Sequence, residues 1–377
     1  MGVLVAKTIA YFVHNLDDPA VVRRVKMFHS GGAKVIVLGF HRNERVPSTI
    51  DGAVAINLGR TADGRFGQRI AAVLRHIVMN RPLRRAIQQA DVIVARNLEM
   101  VALAAKLKAG RRLIYECLDI HRLLLGSGGH LGKMVQWVEG RLLKGVQLIL
   151  TSSPRFITAY FHGMRRLETP IILVENKVLS LDEGAPSVRD QQITGRNEGP
   201  WVIGWFGMLR CRRTLEILAE FARRSEGRIA VVIAGIPSEA EFPDFVRTVA
   251  DLPGVVFKGR YDASDLPRLY ASVHFAWAID YFEEGLNSTW LLPNRLYESL
   301  ENGAIPIALS GVETGIWLTQ KEVGVVIDDP EAEIPAYLQR LTDAEYVDLQ
   351  KALKALPAEA LRTEAPECRA LVSAILA

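Results

Sequence analysis

Short apolar runs rich in β-branched residues alternate with longer stretches of helical periodicity along most of the chain. Strands separated by helix-length segments are typical of βαβ units, so the pattern predicts an α/β fold with parallel sheets. The strands predicted for the first half are TIAYFV, AKVIVLGF, VAINL, DVIVAR, RLIYEC, QLILTS and IILVE, and those for the second are WVIGWFG, IAVVIAG, VVFKG, VHFAWAI, AIPIAL and VGVVI.

The alternation stops between Lys177 and Pro200, where small and polar residues dominate, which predicts a linker. A chain of 377 residues also exceeds what one hydrophobic core usually serves. We therefore expect two doubly wound, Rossmann-like domains, one over residues 1–180 and one over 181–364. Ligands of open parallel sheets bind beyond the carboxyl ends of the strands, so we expect the active site in a cleft between two facing sheets.

Charge is divided unevenly between the two halves. Residues 1–180 hold 27 Lys and Arg against 12 Asp and Glu, whereas the remainder holds 19 against 30. A basic half attracts anionic surfaces or diphosphates. The basic excess is greatest from Arg60 to Arg85, where Asp63 is the one acid and apolar residues recur at helical spacing. This segment predicts a basic amphipathic helix on an anionic membrane, with a core-facing helix as the alternative.

Several classes of protein are disfavoured by the sequence. No apolar run approaches the roughly 18 residues of a spanning helix, and the apolar start lacks a preceding basic region, so we interpret it as the first strand. Three widely spaced cysteines fit a reducing compartment, and we expect a bacterial-type cytoplasm. No feature predicts a nucleic-acid partner.

Familiar cofactor motifs are also missing. The first predicted strand is not followed by GxGxxG, which disfavours a dehydrogenase. GSGGHLGK resembles a P-loop only superficially, because Ser127 stands where glycine is needed and Met134 where Ser or Thr is needed. DxD, HExxH and CxxC are absent from the sequence, so we expect a reaction that needs neither a metal nor a cofactor.

The segment LLPNRLYESLENGAIPIAL carries the most specific signal. Pro293 is suited to open a helix, on which Asn294 and Glu298 share one face, and Asn302 with Gly303 can close it. A carboxylate near such a helix start can accept hydrogen bonds from both hydroxyls of a ribose. The alternative is a solvated helical glutamate.

This segment resembles the C-terminal domain of GT-B glycosyltransferases, whose Lys-Leu-Tyr-Glu…Gly-x-Pro pattern holds the donor nucleotide. The resemblance implies that Glu298 binds the ribose and that Asn294 and Arg295 belong to the nucleotide pocket. It also implies the GT-B fold, in which the last helix commonly packs on the first domain. We expect this of residues 365–377.

A second match lies in WVIGWFGMLRCRRTLEIL, where a predicted strand ends at Gly207 and a helix follows. Amides at a helix N-terminus and nearby arginines favour an anion. The family has a glycine here and a lysine six residues later, where this chain has Arg213. The resemblance therefore implies that Gly207, Arg210, Arg212 and Arg213 bind the donor diphosphate, although a solvated arginine trio is the alternative.

A polar loop lies between these two motifs, in AIDYFEEGLNSTWLLPNR. Its residues Asp280, Glu284, Asn287 and Ser288 follow a predicted strand, where sugar hydroxyls are commonly bound. We expect them to bind the donor sugar. Retaining members of the family carry a second glutamate eight residues before the ribose glutamate, but this chain has Trp290 there. The departure favours an inverting transfer.

In the first half, the predicted strand RLIYEC is followed by Asp119 and His121. Many GT-B enzymes carry Tyr-Glu-x-His-Asp here with a catalytic histidine, but Leu118 occupies that place. Asp119 is the nearest replacement and can serve as general base toward the acceptor hydroxyl. Its alternative role is a helix cap.

The end of the first predicted strand offers residues for the acceptor. His14, Asn15 and Asp17 follow this strand, and we expect them to contact the acceptor together with His121. Asp17 or the next residue, Asp18, can instead cap the following helix.

Taken together, HNLDDP, YECLDIHR, GMLRCRR and NSTWLLPNRLYE resemble bacterial exopolysaccharide glycosyltransferases of the succinoglycan type. That resemblance implies a UDP-sugar donor, with UDP-glucose as first choice, and a polyprenyl-diphosphate-linked saccharide acceptor. It implies a peripheral position on the inner face of the plasma membrane. The alternatives are a UDP-sugar epimerase of the same fold and a non-catalytic assembly partner that binds nucleotide sugar or lipid.

Overall fold

The structure, a computed structural model, describes residues 6–44, 46–61, 81–125, 129–182 and 199–377. The chain forms two compact units. Unit 1 consists of Met1–Glu175, Leu179–Leu181 and Thr363–Ala377, and unit 2 consists of Asn176–Val178 and Asp182–Arg362.

Unit 1 is built on an eight-stranded sheet of order β3-β4-β2-β1-β5-β6-β7-β8, in which only the β3–β4 pair is antiparallel. Parallel strands covered by helices on both faces are continuously apolar, and β1 is buried from Ile9 to Val13. The strands are β1 (Thr8–Val13), β2 (Lys34–His41), β3 (Thr49–Ile50), β4 (Ala53–Arg60), β5 (Val92–Arg96), β6 (Arg112–Cys117), β7 (Leu148–Thr151) and β8 (Ile171–Leu173).

Helices connect these strands, and the chain's last helix returns to the same unit. They are α1 (Pro19–Ser30), α2 (Arg81–Gln89), α3 (Leu98–Leu107), α4 (Arg122–Leu125), α5 (His130–Leu143), a π-helix (Phe156–Met164) and the terminal helix, α15 (Ala365–Leu376). Helix α15 packs on α1, where Val372 leaves no room for a Cβ at Gly31: the valine Cγ2 lies 2.3 Å from that position. Arg112 also donates to the carbonyls of Ala374 and Ile375, at 3.0 and 2.9 Å.

Unit 2 is built on a six-stranded parallel sheet of order β12-β11-β10-β13-β14-β15. The chain winds outward from β10 to β12 and then returns to the other side of β10 with β13. The strands are β10 (Trp201–Leu209), β11 (Ile229–Pro237), β12 (Val255–Phe257), β13 (Phe275–Trp277), β14 (Ile305–Leu309) and β15 (Val325–Ile327). This reversal opens a crevice at the carboxyl ends of β10 and β13, where ligands of doubly wound sheets bind.

The helices of unit 2 follow its strands in alternation. They are α6 (Arg212–Arg224), α7 (Phe245–Ala250), a 3-10 turn (Ala263–Asp265), α8 (Leu266–Ala271), α9 (Asn287–Trp290), α10 (Asn294–Glu301), α11 (Glu313–Lys321), α12 (Pro330–Arg340), α13 (Asp343–Lys354) and α14 (Ala358–Leu361). Within the ranges described above, no helix combines the length and apolar character needed to cross a membrane.

All the predicted strands are confirmed, but three two-residue strands were missed. These are β3, β9 (Val178–Leu179) and β16 (Arg362–Thr363), of which the last two form a small sheet of their own. Two residues are too short to give a periodic signal. Strand β9 corrects the prediction of a structureless linker from Lys177, and the rest of that linker from 183 to 198 lies outside the described residues.

The proposed membrane helix also falls mainly outside the described residues, which omit 62–80. Arg60 ends β4, and α2 begins at Arg81. The glycine cluster GSGGHLGK is described only from residue 129 onward.

Candidate active site

The carboxyl ends of β10 and β11 approach each other closely in unit 2. Gly207 pairs with Gly235, and a Cβ on Gly235 would lie 1.8 Å from the carbonyl oxygen of Gly207. Both residues have positive φ, +115° and +141°, which glycine adopts without strain. Glycine at these positions lets the chain leave β10 toward the N-terminus of α6.

Two arginines near the start of α6 contact the loop that follows β13. Arg210 Nη2 lies 3.4 Å from Asp280 Oδ2, and Arg213 Nη1 lies 2.9 Å from Glu284 Oε2. The guanidinium of Arg213 also lies over the Tyr281 ring, 4.2 Å from its centre. The structure therefore brings together predicted diphosphate residues and predicted sugar residues from neighbouring strands.

Arg212 has a different set of contacts from the other two arginines. Its Nη2 donates to the carbonyl oxygen of Glu241 at 2.5 Å, and its guanidinium lies over Phe242 at 5.3 Å. These residues belong to the loop after β11. The predicted arginine trio is thus divided between two loops.

Asp280 lies at the centre of an ion cluster. Its side chain is 6% exposed, and its oxygens accept from Arg210 at 3.4 Å and from the amide of Phe282 at 2.9 Å. Arg295 Nη2 forms an ion pair with the same carboxylate at 3.5 Å. Burial raises the pKa of Asp280, but the positive charges of Arg295 and Arg210 lower it by more, so the net change in this pKa is downward. The carboxylate is therefore ionised at neutral pH and holds both arginines.

Glu298 lies on α10, and the predicted bounds of this helix are confirmed. Pro293 is its N-cap residue, and Asn302 and Gly303 follow its last turn, with Gly303 at φ +83°. The half-buried Glu298 accepts from the Tyr270 hydroxyl at 3.4 Å. Burial and the charge of Glu298 both raise the pKa of Tyr270, which therefore remains a hydrogen-bond donor.

Asn287 and Ser288 lie in α9 and are buried, at 4% and 6% exposure. Ser288 Oγ accepts from the amide of Glu283 at 3.1 Å, which closes the loop between β13 and α9. This arrangement indicates that both residues shape the loop. Of the four residues predicted to bind the donor sugar, Glu284 is the one that is exposed.

A cavity of about 330 Å³ adjoins this loop within unit 2. Its walls carry one arginine and four carboxylates, so the cavity is acidic overall. The Tyr281 hydroxyl is buried in this wall and has no hydrogen-bond partner in the described chain. The lining residues are Arg213, Tyr281, Glu284, Leu309, Asp328, Asp329, Pro330 and Glu331.

In unit 1, predicted residues lie at the carboxyl ends of β1 and β6, with β5 between these strands. His14 follows β1, and its Nδ1 lies 3.2 Å from Asn97 Nδ2 at the end of β5. Asn97 has φ +68°, which is uncommon for a residue other than glycine. Asp119 follows β6 and is exposed. Sequence reasoning missed Asn97, although a polar residue directly after DVIVAR was a usable signal.

Asp17 and Asp18 have different structural roles. Asp18 caps α1 by accepting from the amide of the second helical residue at 2.9 Å. Asp17 accepts from the amides of Arg42 and Asn43, at 2.8 and 3.1 Å, and so joins the loops after β1 and β2. Asn15 is buried and accepts from the amide of Asp17. These contacts account for Asn15 and Asp17 structurally, so their proposed contact with the acceptor stays a prediction.

His121 lies just before α4 and is exposed. Its Nδ1 accepts from the amide of Leu123 at 3.3 Å, which orients the ring at the start of the helix. The structure therefore gives this histidine a local capping contact at the same sheet edge as Asp119.

A buried ion cluster joins side chains of α1, β1, β5 and β6. Glu116 is fully buried and accepts from Arg24 Nε at 2.6 Å, Arg96 Nε at 2.7 Å and the Tyr11 hydroxyl at 2.5 Å. Burial raises the pKa of Glu116, but Arg96 and Arg24 lower it to about 2. Sequence reasoning missed this cluster, although charged residues inside apolar strands were the available signal.

Metal ligation receives no support from the geometry of the described residues. Among them, no group of three or more His, Cys, Asp or Glu side chains could hold a metal ion. The expectation of a metal-independent reaction stays a prediction.

Comparison with known proteins extends these findings. No protein-family model matches the chain. The succinoglycan biosynthesis protein ExoL of Rhizobium meliloti (strain 1021) is 43% identical over 371 residues, which cover 97% of this chain and 92% of that protein.

Solved structures share the fold. Anabaena HepE in complex with UDP and glucose has a TM-score of 0.70 at 14% identity, over 98% of this chain and 99% of that one. WaaG, a glycosyltransferase involved in lipopolysaccharide biosynthesis, has a TM-score of 0.57 at 14% identity, over 97% and 95%.

The two parallel-sheet units have the GT-B fold of these glycosyltransferases. The chain belongs to the family of the exopolysaccharide biosynthesis protein ExoL.

Proposed function

We propose that the protein transfers a hexose from a UDP-sugar, with UDP-glucose as first choice, to a polyprenyl-diphosphate-linked saccharide. The observation that carries this proposal is that Arg210, after β10, and Arg295, on the same helix as Glu298, both pair with the buried carboxylate of Asp280 after β13 in unit 2. Glu298 accepts from the ribose hydroxyls, and the arginines donate to the diphosphate at the start of α6. The likeness to a succinoglycan biosynthesis protein supports the acceptor class.

The reaction is a direct displacement with inversion at the anomeric carbon. The acceptor oxygen forms a bond to that carbon while the bond to the diphosphate oxygen breaks, and UDP leaves with the electron pair. Asp119 takes the proton of the acceptor hydroxyl, and the arginines stabilise the charge that develops on the diphosphate. No metal takes part in this scheme.

Asp280 has a positioning role in this proposal. Its buried carboxylate holds Arg210 and Arg295 before the donor arrives. Guanidinium groups that are already oriented lose less conformational entropy on binding an anion. This role replaces the direct sugar contact that we expected of Asp280.

The ribose assignment is tested by Glu298→Ala. We expect this variant to bind UDP at least tenfold more weakly, about 1.4 kcal/mol, because two hydrogen bonds to a charged acceptor are lost. Isothermal titration calorimetry measures the affinity directly. Asp348→Ala, on an exposed face of α13, is the matched control and should bind UDP normally. An unchanged affinity for UDP in Glu298→Ala would contradict the assignment of Glu298 to the nucleotide pocket.

We further propose that the acidic cavity holds the donor sugar. Its volume is within the range of small-ligand sites, and carboxylates with a tyrosine hydroxyl suit a ligand rich in hydroxyl groups. Four carboxylates against one arginine favour an uncharged hexose over a uronic acid. Tyr281 lines this cavity, and we assign its hydroxyl, which has no hydrogen-bond partner in the described chain, as a donor to the sugar.

Tyr281→Phe separates binding from folding at this cavity. Because the hydroxyl has no partner in the described chain, its removal should leave the free energy of unfolding unchanged or raised. The KM for UDP-glucose should rise about twofold to tenfold, since one hydrogen bond contributes about 0.5–1.5 kcal/mol. The affinity for UDP itself should not change. Tyr337→Phe on α12 is the control, and an unaltered KM in Tyr281→Phe would exclude the cavity as the sugar site.

The acceptor side of the proposal places the enzyme at the inner face of the plasma membrane. A lipid-linked diphosphate is anionic and held at the bilayer surface, and the basic charge of residues 1–180 suits both. Peripheral binding lets the soluble donor and the anchored acceptor reach one enzyme.

A further inference from the structure

Helix α5 exposes a row of large apolar side chains. The exposed fractions are 53% for Leu131, 55% for Met134, 66% for Trp137 and 36% for Val138. Their spacing of three, four and seven residues places them on one face of the helix. A contiguous apolar face of this kind on a folded protein marks an interaction surface.

Basic residues flank this apolar row. Lys133, Arg141 and, directly after the helix, Lys144 are exposed, and Arg141 lies over the Trp137 ring at 5.8 Å. The acidic residue of the helix, Glu139, points to the opposite side and is fully buried. The exposed face of α5 is therefore both apolar and cationic.

The buried side of α5 is fixed to the rest of unit 1. Glu139 accepts from the Tyr160 hydroxyl at 2.7 Å and from Arg165 Nε at 2.9 Å. Arg165 also donates to the carbonyl oxygen of Gln136 at 2.7 Å. Anchored in this way, the helix presents its outer face without having to fold on contact.

We propose that the outer face of α5 docks on an anionic lipid bilayer. Apolar side chains enter the interface, tryptophan is favoured at the headgroup level, and Lys and Arg attract acidic headgroups. A second copy of the chain fits this face poorly, because twofold contact would place the same basic residues against each other. The inference rests on the proposed membrane association and assigns α5 to it, and its test requires no donor.

Trp137 is a built-in reporter of this contact. Trp201, Trp205, Trp277 and Trp317 are at most 7% exposed, and Trp290 is half-buried. Vesicles of phosphatidylglycerol and phosphatidylcholine should therefore shift the tryptophan emission to the blue and protect it from iodide quenching. Trp137→Phe should lose most of this shift while it still sediments with vesicles. A shift that persists in Trp137→Phe would overturn the proposal.

Charge reversal tests the contact by affinity. Lys133→Glu, Arg141→Glu and Lys144→Glu combined should lower vesicle affinity at least tenfold, and Leu131→Gln with Met134→Gln should do the same at unchanged charge. The matched control reverses exposed charges of unit 2 with the same net change: Arg247→Glu, Lys321→Glu and Arg340→Glu.

Affinity for UDP is measured alongside, so that failure of the donor pocket and failure of the membrane surface are distinguished. The α5 variants should bind UDP as the unaltered enzyme does. Vesicle affinity within twofold of the unaltered enzyme in both α5 variants would overturn the proposal and assign the contact elsewhere. Concentration-dependent dimerisation that is abolished by these variants without vesicles would also overturn it, in favour of a second copy of the chain.

Discussion

Replacing Asp119 with asparagine is expected to lower kcat by about 10²–10⁴-fold, the usual contribution of a positioned general base. The amide cannot accept the proton of the acceptor hydroxyl, yet it keeps the size of the carboxylate. The affinity for UDP should not change, because the residues proposed to bind the donor belong to unit 2. Turnover is measured as UDP release with a lipid-linked acceptor at saturating donor.

The position of Asp119 makes this experiment informative. It follows β6 at the sheet edge that also carries His14 and Asn97, and its side chain is exposed. An exposed carboxylate reaches a substrate without rearrangement of the sheet below it. Its removal should therefore affect the reaction and leave the free energy of unfolding nearly unaltered.

Two comparisons decide how the result is interpreted. Glu168→Gln removes an exposed carboxylate of unit 1 and should retain full activity. Glu168 lies before the amino end of β8, whereas Asp119 follows the carboxyl end of its strand. His14→Ala tests the other polar group at the sheet edge. A kcat for Asp119→Asn within threefold of the unaltered enzyme would exclude Asp119 as the base, and a large loss in His14→Ala would then assign that role to the histidine.

The fold was predictable because its signals are local. Each buried parallel strand is an apolar run, each turn carries polar residues, and the alternation of the two repeats throughout both units. Helix starts were equally readable: Pro19 and Pro293 mark the beginnings of α1 and α10. Two-residue strands such as β9 have no such signal and were missed.

The candidate site was predictable only in part, because contacts between distant residues leave no trace in one sequence. Motif spacing indicated Arg210, Arg213 and Glu298. It gave no indication that Asp280 would hold arginines or that Tyr270 would donate to Glu298, 28 residues away. Such pairings depend on which strand ends become neighbours, and strand order is fixed by the whole fold.

The buried cluster around Glu116 is the strongest example of a feature the sequence concealed. Its members come from α1, β1, β5 and β6, and the partners Arg24 and Arg96 lie 92 and 20 residues before it. In the sequence each is an isolated polar residue beside apolar ones. Only the fold shows that two guanidinium groups and a hydroxyl converge on one carboxylate.

Replacing Glu116 with glutamine is expected to destabilise unit 1 by about 3–5 kcal/mol at pH 7, because two buried arginines would lose the carboxylate they share. Arg96 would keep the more distant Asp18, at 3.5 Å. The loss should be confined to unit 1. Hydrogen exchange read by mass spectrometry measures it locally, through the opening free energy of peptides from β1, β5 and β6. Peptides from β10 and β13 in unit 2 serve as the internal reference.

The pH dependence gives this prediction a second test. The pKa of Glu116 is about 2 in the folded protein against an ordinary value of 4.5, so its ionised form is stabilised by folding. That stability is fully present above pH 4.5 and is lost as the pH falls toward 2. Because glutamine does not titrate, the difference between the two proteins should narrow over this range.

Glu220 is the matched control for Glu116. Its pKa is also lowered to about 2, by Arg223 and Arg224, but it lies on the exposed surface of α6. Solvent screens such a pair, so Glu220→Gln should change stability little despite the similar pKa. If Glu116→Gln were as mild as Glu220→Gln at pH 7, the two arginines would be stabilised without the carboxylate, and the cluster would not be what holds β1, β5 and β6 against α1.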